Sequence, residues 1–235
     1  MDRRQFLQAI NTYGLGAVLP ASVRNELRVG VVGVGGAGGN VLHHIAGKLP
    51  DKCHTVAINT STDTLHRLNA DRKIRVGDIP DRPVRSDAVR RLAVRRFAWA
   101  AIPGITEAVA GLDMVLLVAG MGGVAGTEIS PVVAQVLREQ NIFTLGFPIM
   151  PFNWEGERRT RIALHGASEL DRYVHSLHPI SNEGLAHAAG ENATMGDVFN
   201  QASLAVLQHY RSVTRRVVAR RLAGTAGTYT YSGSR

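Results

Sequence analysis

Two glycine-rich runs are the residues of this sequence best suited to chemistry. Gly33-Val34-Gly35-Gly36-Ala37-Gly38-Gly39-Asn40 joins a β-branched run to a helical pattern. Gly120-Met121-Gly122-Gly123-Val124-Ala125-Gly126-Thr127 does the same later in the chain. At such a junction the backbone turns sharply and offers bare N–H groups to a ligand, which glycine permits and the helix dipole reinforces. The chemistry is phosphate binding, and two such loops at one sheet end would make a two-sided cradle. Close packing of a helix on the sheet accounts for one glycine loop but poorly for both. Gly33, Gly35 and Gly38 also satisfy GxGxxG, the spacing of dinucleotide sites. Those sites want an acidic residue at the end of the next strand to hold the ribose hydroxyls. That strand ends Ala57-Ile58-Asn59-Thr60, with Asp63 too late, so a dinucleotide enzyme is the weaker reading.

Other chemistries find no footing. The nine histidines form no HExxH and none stands with Cys or Asp at metal-ligand spacing. No GxSxG elbow occurs, and the single cysteine, Cys53, reads as core on a buried strand. One cysteine excludes an internal disulfide and a zinc thiol cluster. The net charge of +8 comes almost wholly from arginine and favours anionic partners. Nucleic acid is not expected, because no recognition motif or aromatic platform is present. Arg215-Arg216 and Arg220-Arg221 end a helical pattern, where cations suit the dipole; the sharper reading is a strip for anionic lipid or an acidic protein.

The elements that must position the loops follow from periodicity. The 235 residues, 45% hydrophobic, suffice for one α/β domain with short extensions. Strands are expected at Leu27–Val34, Thr55–Asn59, Lys73–Val76, Asp113–Ala119, Ile142–Phe147 and Val174–Ile180. Helices are expected from Asn40 to Leu49, through Ser86–Ala110 with a break at Pro103-Gly104, on to Glu139 after the second loop, and over Glu155–Asp171. In the Ser86–Ala110 stretch Arg90, Arg91, Arg95 and Arg96 should face solvent, with Val89, Leu92 and Ala93 facing the core. A long helix from Met195 to Leu222 carries Phe199, Ala202, Val206, Tyr210, Val213 and Val217 at helical spacing. Alternating strands and helices give a Rossmann-like, doubly wound parallel sheet. The domain spans 27–222, between an N-terminal extension over 1–26 and a flexible tail over 223–235. No run of 18 apolar residues is present to span a membrane.

At this level of detail the sequence resembles the FtsZ family of the tubulin superfamily. GVGGAGGN resembles that family's first phosphate loop, which makes Gly35, Gly36, Ala37, Gly38, Gly39 and Asn40 phosphate-contacting candidates. AINTSTDTL is similar to the segment after its second strand. DMVLLVAGMGGVAGTEISPVVA resembles the stretch with the GGGTGTG signature and adds Gly122, Gly123, Gly126 and Thr127. PFNWEGERR matches the ribose-contacting loop, placing the ribose glutamate at Glu155 and its arginine partner at Arg159. SNEGL resembles the loop near the guanine, bringing in Asn182. FNQASLAVL resembles the start of the central helix, where Phe199 would stack on the base. The resemblance runs in order from Leu27 to about Tyr210 and implies GTP or GDP as ligand, with Mg2+ beside GTP.

The departures from that pattern matter as much. Val124 and Ala125 replace signature residues, and Glu128 is expected to set a negative charge where phosphates lie. At about 5 Å and an effective dielectric near 20 that repulsion is roughly 3 kcal/mol per phosphate charge. Its plainer reading is a first-turn glutamate on the helix dipole. Pro80–Ser86 lacks the glycines of a third family loop, though Arg82 or Arg85 could supply charge there. Ser203 stands where the family carries an aspartate or asparagine that reads guanine, and the stretch after the central helix is expected to lack the family's acidic loop and second domain. The resemblance therefore implies an FtsZ-like GTP-binding domain with weak or no autonomous hydrolysis, one that self-associates or caps filaments of a complete FtsZ. A degenerate interaction protein on the same fold is the alternative. A cytoplasmic location is expected; the other reading is twin-arginine export, from Arg3-Arg4-Gln5-Phe6-Leu7.

Overall fold

The computed structural model describes residues 28–49, 53–77, 87–190 and 192–223, with side chains described as far as 212. The Arg3-Arg4 motif, the extension over 1–26, the segment with Arg82 and Arg85, the side chains of Arg215, Arg216, Arg220 and Arg221, and the tail beyond 223 lie outside the described residues. Arg28–Leu207 forms one compact unit.

That unit is built on strand–helix alternation. β1 (Val29–Val34) leads into α1 (Gly35–Ala46), β2 (His54–Asn59) into α2 (Thr62–Arg67), and β3 (Arg72–Arg75) stands at one edge. α3 (Asp87–Ala100) and α4 (Ile102–Val109) precede β4 (Met114–Gly120) and α5 (Val124–Glu139). β5 (Phe143–Met150) is followed by a 3-10 turn (Asn153–Glu155) and α6 (Glu157–Asp171). β6 (Ser176–Leu177), β7 (Ile180–Ser181), α7 (Asn182–Ala189) and the part of α8 (Met195–Ala223) up to Leu207 complete the order in this unit. All strand pairs are parallel and run β3-β2-β1-β4-β5-β6, with β7 also on β5. Val31, Val32, Leu116, Leu117 and Phe147 are fully buried, as expected for strands covered on both faces. The order reverses between β1 and β4, and in such sheets a ligand lies in the crevice beyond the strand ends at that point. Both glycine runs sit there.

Several local expectations are corrected. α1 begins at Gly35 rather than Asn40, so the first glycine run is itself the opening turn of the helix. The strand expected over Val174–Ile180 is two short pieces, because Pro179 between them has no N–H to give to β5. The helix expected from Glu155 begins at Glu157, after Gly156 at φ 94°. On α3 the inner face carries Arg91, Val94, Arg95 and Ala98, while Val89 and Leu92 are exposed. The two arginines face inward because carboxylates meet them there. Arg91 pairs with Glu128 of α5 at 2.7 Å and Arg95 with Glu169 of α6 at 3.3 Å. α2 and α7 escape the periodicity argument, yet both carry a legible start signal: Ser61 and Ser181 cap them, accepting from the Thr64 and Gly184 N–H groups. Cys53 lies just before β2, half-buried, and burial with the nearby Asp71 charge pushes its thiol up to about 12, far from nucleophilic.

Candidate functional site

Neither of the two helices that start at the crevice has a side-chain cap. α2 and α7 are capped by serine, whereas α1 and α5 have Val34 and Gly123 at the cap position and no side-chain cap. Their first-turn N–H groups therefore remain available, and both dipoles point their positive ends at the switch point. Gly35, at φ 74°, takes a left-handed turn that L side chains resist, and a Cβ there would lie 2.9 Å from the Gly126 nitrogen. A Cβ on Gly120 would lie 2.7 Å from that of Ala37, so the two loops touch and form one surface. Gly36 and Gly123 meet nothing within 4 Å and face open space. Gly38 and Gly39 are buried instead, Gly38 against the Val118 carbonyl and Gly39 against Leu68. They serve helix packing. Asn40 is half-exposed, and its carbonyl accepts the His44 Nδ1 proton at 2.8 Å.

The second loop is tied from within. Thr127 is buried and its hydroxyl oxygen accepts the Gly122 N–H at 2.9 Å, holding Gly122 at φ 84°. Val124 lies inside α5 with no left-handed strain, so its β-branch is tolerated. Glu128 is the fifth residue of α5 rather than a first-turn residue, and its carboxylate is held by Arg91. The two side chains are 12% and 17% exposed. The expected repulsion toward phosphate is thus met by a guanidinium that sequence reading placed in solvent.

Glu155 and Arg159 are brought to the same rim. A Cβ on Gly122 would lie 2.7 Å from the Arg159 Cγ. Arg159 Nε pairs with Glu155 at 2.8 Å, and the other Glu155 oxygen accepts the Phe152 N–H at 2.8 Å. Next along, the Asn153 N–H donates to Glu183 at 2.8 Å, joining the 3-10 turn to the start of α7. Asn182 opens that helix, 9% exposed, with its Oδ1 buried and without a hydrogen-bond partner. Phe199 and Ser203 lie one turn apart on α8, whose Asn200 accepts from Lys48 just past α1 at 3.3 Å. Phe199 is half-buried; Ser203 is fully buried, and its hydroxyl donates to the Phe199 carbonyl at 2.7 Å. At the end of β2, Asn59 uses its side-chain oxygen for the Thr60 and Ser61 N–H groups, leaving a dinucleotide ribose no acidic partner there.

The arrangement offers two uncapped helix starts and a Glu–Arg rim, with the unpartnered Asn182 oxygen buried at the start of α7. Sequence reading missed Arg91 as the partner of Glu128, and Trp154, which stacks on Phe152 at 5.3 Å and is 76% exposed at the rim.

Comparison with known proteins gives a consistent answer. The model of the Tubulin/FtsZ family, GTPase domain, matches residues 28–190. The cell division protein FtsZ of Caulobacter vibrioides is 34% identical over 199 residues, covering 85% of this chain and 39% of that protein. The FtsZ of Coxiella burnetii is 35% identical over 180 residues, covering 77% of this chain and 46% of that protein. The chain thus spans less than half the length of these curated relatives. Among solved structures, an empty FtsZ dimer from M. jannaschii superimposes with TM-score 0.68 at 28% identity, over 80% of this chain and 55% of that one.

Proposed function

The chain belongs to the Tubulin/FtsZ family, and from that membership we propose that it binds a nucleoside di- or triphosphate, GTP in the first instance, across the β1/β4 crevice. The observation that carries the reading is the pair of uncapped helix starts pressed together at the switch point, Gly35 against Gly126, with Gly36 and Gly123 open. The first turns of α1 and α5 would hold the phosphates, Glu155 and Arg159 the ribose, and Asn182 and Phe199 the base. The open positions at Gly36 and Gly123 fit such a ligand. Mg2+ would arrive on the phosphates, since no group of three or more His, Cys, Asp or Glu among the described residues could hold a cation.

Fast turnover by this chain alone is not part of the proposal. Glu128 is engaged by Arg91, and Glu155 by Arg159 and the Phe152 N–H, so neither is free to orient water. Calorimetry with GTP and GDP in magnesium tests the binding. Saturable binding is expected, together with its loss in Gly36→Asp. That variant should keep its fold, because position 36 is open and an acidic group suits a helix start. No heat with either nucleotide would sink the reading.

A second reading is docking on a complete FtsZ, limiting its filaments. Trp154, a large exposed aromatic at the rim of the crevice, favours it. Light scattering of FtsZ filaments should fall when this chain is added and stay unchanged when Trp154→Ala is added. No effect of the unaltered chain at excess would dismiss it.

A further inference from the structure

We propose that the outer face of α3, with the corner that joins it to α4, is a seat on an anionic lipid surface. The inference is independent of what the crevice binds.

α3 is anchored to the domain through one side. Val94 and Ala98 are fully buried, Arg91 and Arg95 reach Glu128 and Glu169, and Phe97 lies against Gly77 just past β3. Turning about 100° per residue, the helix brings Val89, Leu92, Arg96 and Trp99 into a sector of about 80° on the opposite side. All four are exposed, Leu92 by 63% and Trp99 by 45%. Single exposed apolar residues are ordinary on a protein surface, but three on one helical stripe make a patch. The patch continues round the corner, where Ala100, Pro103 and Gly104 are exposed and uncharged. Its charge has one sign. Arg90 and Arg96 are exposed beside the apolar residues, and no aspartate or glutamate occurs from Ala88 to Thr106.

Tryptophan and leucine with interspersed arginine is the composition that settles at the boundary of headgroups and acyl chains. Leu92 and Trp99 enter that boundary, while Arg96, one turn back from Trp99, lays its stem along them and reaches the lipid phosphates. The helix is already folded and braced, so binding orders no new chain. A helix ridge is convex and encloses nothing, which suits a surface that yields around it better than a rigid protein partner. A second copy on the same face would set arginine against arginine. One face of a 14-residue helix gives a weak attachment that salt screens.

The full chain with Trp154→Phe keeps Trp99 as its sole tryptophan. Titrated at low salt with phosphatidylcholine vesicles containing about 30% phosphatidylserine, its emission should shift to the blue. The shift should be absent with pure phosphatidylcholine and reversed by about 0.5 M salt. In sedimentation of the unaltered chain with the same vesicles, Arg96→Gln should weaken binding about five-fold and Trp99→Gln about ten-fold or more. Both positions face solvent, so these variants should melt with the unaltered chain. No shift and no sedimentation with the anionic vesicles would overturn the inference. So would binding that survives Trp99→Gln and is lost when Arg220→Gln and Arg221→Gln are combined, which would place the lipid contact at the end of α8. A shift with soluble polyglutamate and none with vesicles would overturn it in favour of an acidic protein.

Discussion

Arg91 and Glu128 show how much a single contact alters the meaning of a residue. An unneutralised Glu128 would repel phosphate; held by Arg91 at 2.7 Å, it becomes a brace between α3 and the helix that opens the second loop. Removing one partner of a largely buried pair strands the other charge, so Arg91→Met should cost about 3 kcal/mol in urea denaturation. Glu128→Leu added to it should recover most of that loss. The glycines divide in the same way. A methyl on Gly38 would meet the Val118 carbonyl, and Gly38→Ala should lose about 2 kcal/mol by overpacking. Gly36→Ala meets nothing and should hold its stability or gain as much as about 1 kcal/mol of helix propensity. Equal melting temperatures for the two variants would contradict this division. The glycine spacing was readable; which glycines pack and which face the crevice was not, because that depends on β4 and Leu68, both far along the chain.

Elements here are fastened at their ends by side chains whose protonation matters. Asp71 accepts the Thr55 N–H and hydroxyl at 2.7 and 2.6 Å, pinning the start of β2 beside β3. These hydrogen bonds, the Thr55 hydroxyl first, hold its carboxyl below the usual value. The folded state thus binds fewer protons than the unfolded one, so this stabilisation is present above about pH 4 and is lost as pH falls through the lowered value. At the other edge, His175 Nδ1 accepts the Thr144 N–H at 3.0 Å and requires a neutral ring. Desolvation of the ring, then the charge of Arg138, lowers its pKa. For a histidine shifted down, the unfolded chain protonates first, and stability declines as pH falls from about 6.5 through the folded value. Melting curves between pH 7.5 and 5 should show that decline. In His175→Asn, which keeps an acceptor without titrating, the decline should be absent.

At the scale of the molecule, ligand and fold are coupled by mass action. A nucleotide at about one hundred times its dissociation constant adds about 2.7 kcal/mol to the folded state. For a domain of this size that is a melting-temperature rise of roughly 5–10 °C. Addition of GTP should produce it, and Gly36→Asp should abolish it; a rise unaffected by that change would place binding elsewhere. No helix among the described residues is long and apolar enough to cross a membrane.

The alternation of buried strands with helices, the parallel sheet and the glycine loops at strand ends were determined by sequence alone. Each depends on residues within a few positions of one another: β-branched runs, helical spacing and glycine at a turn. The misreadings have the opposite origin. The inward face of α3 carries arginines because Glu128 and Glu169 come from helices tens of residues away. Pro179 splits an edge strand only because β5 lies beside it. Ser203 has its hydroxyl on Phe199, and Asn182 keeps a buried oxygen unmatched, through packing that no local pattern encodes. Tertiary structure decided which charges are neutralised and which acceptor is left over, because both are set by partners that meet only when the chain is folded.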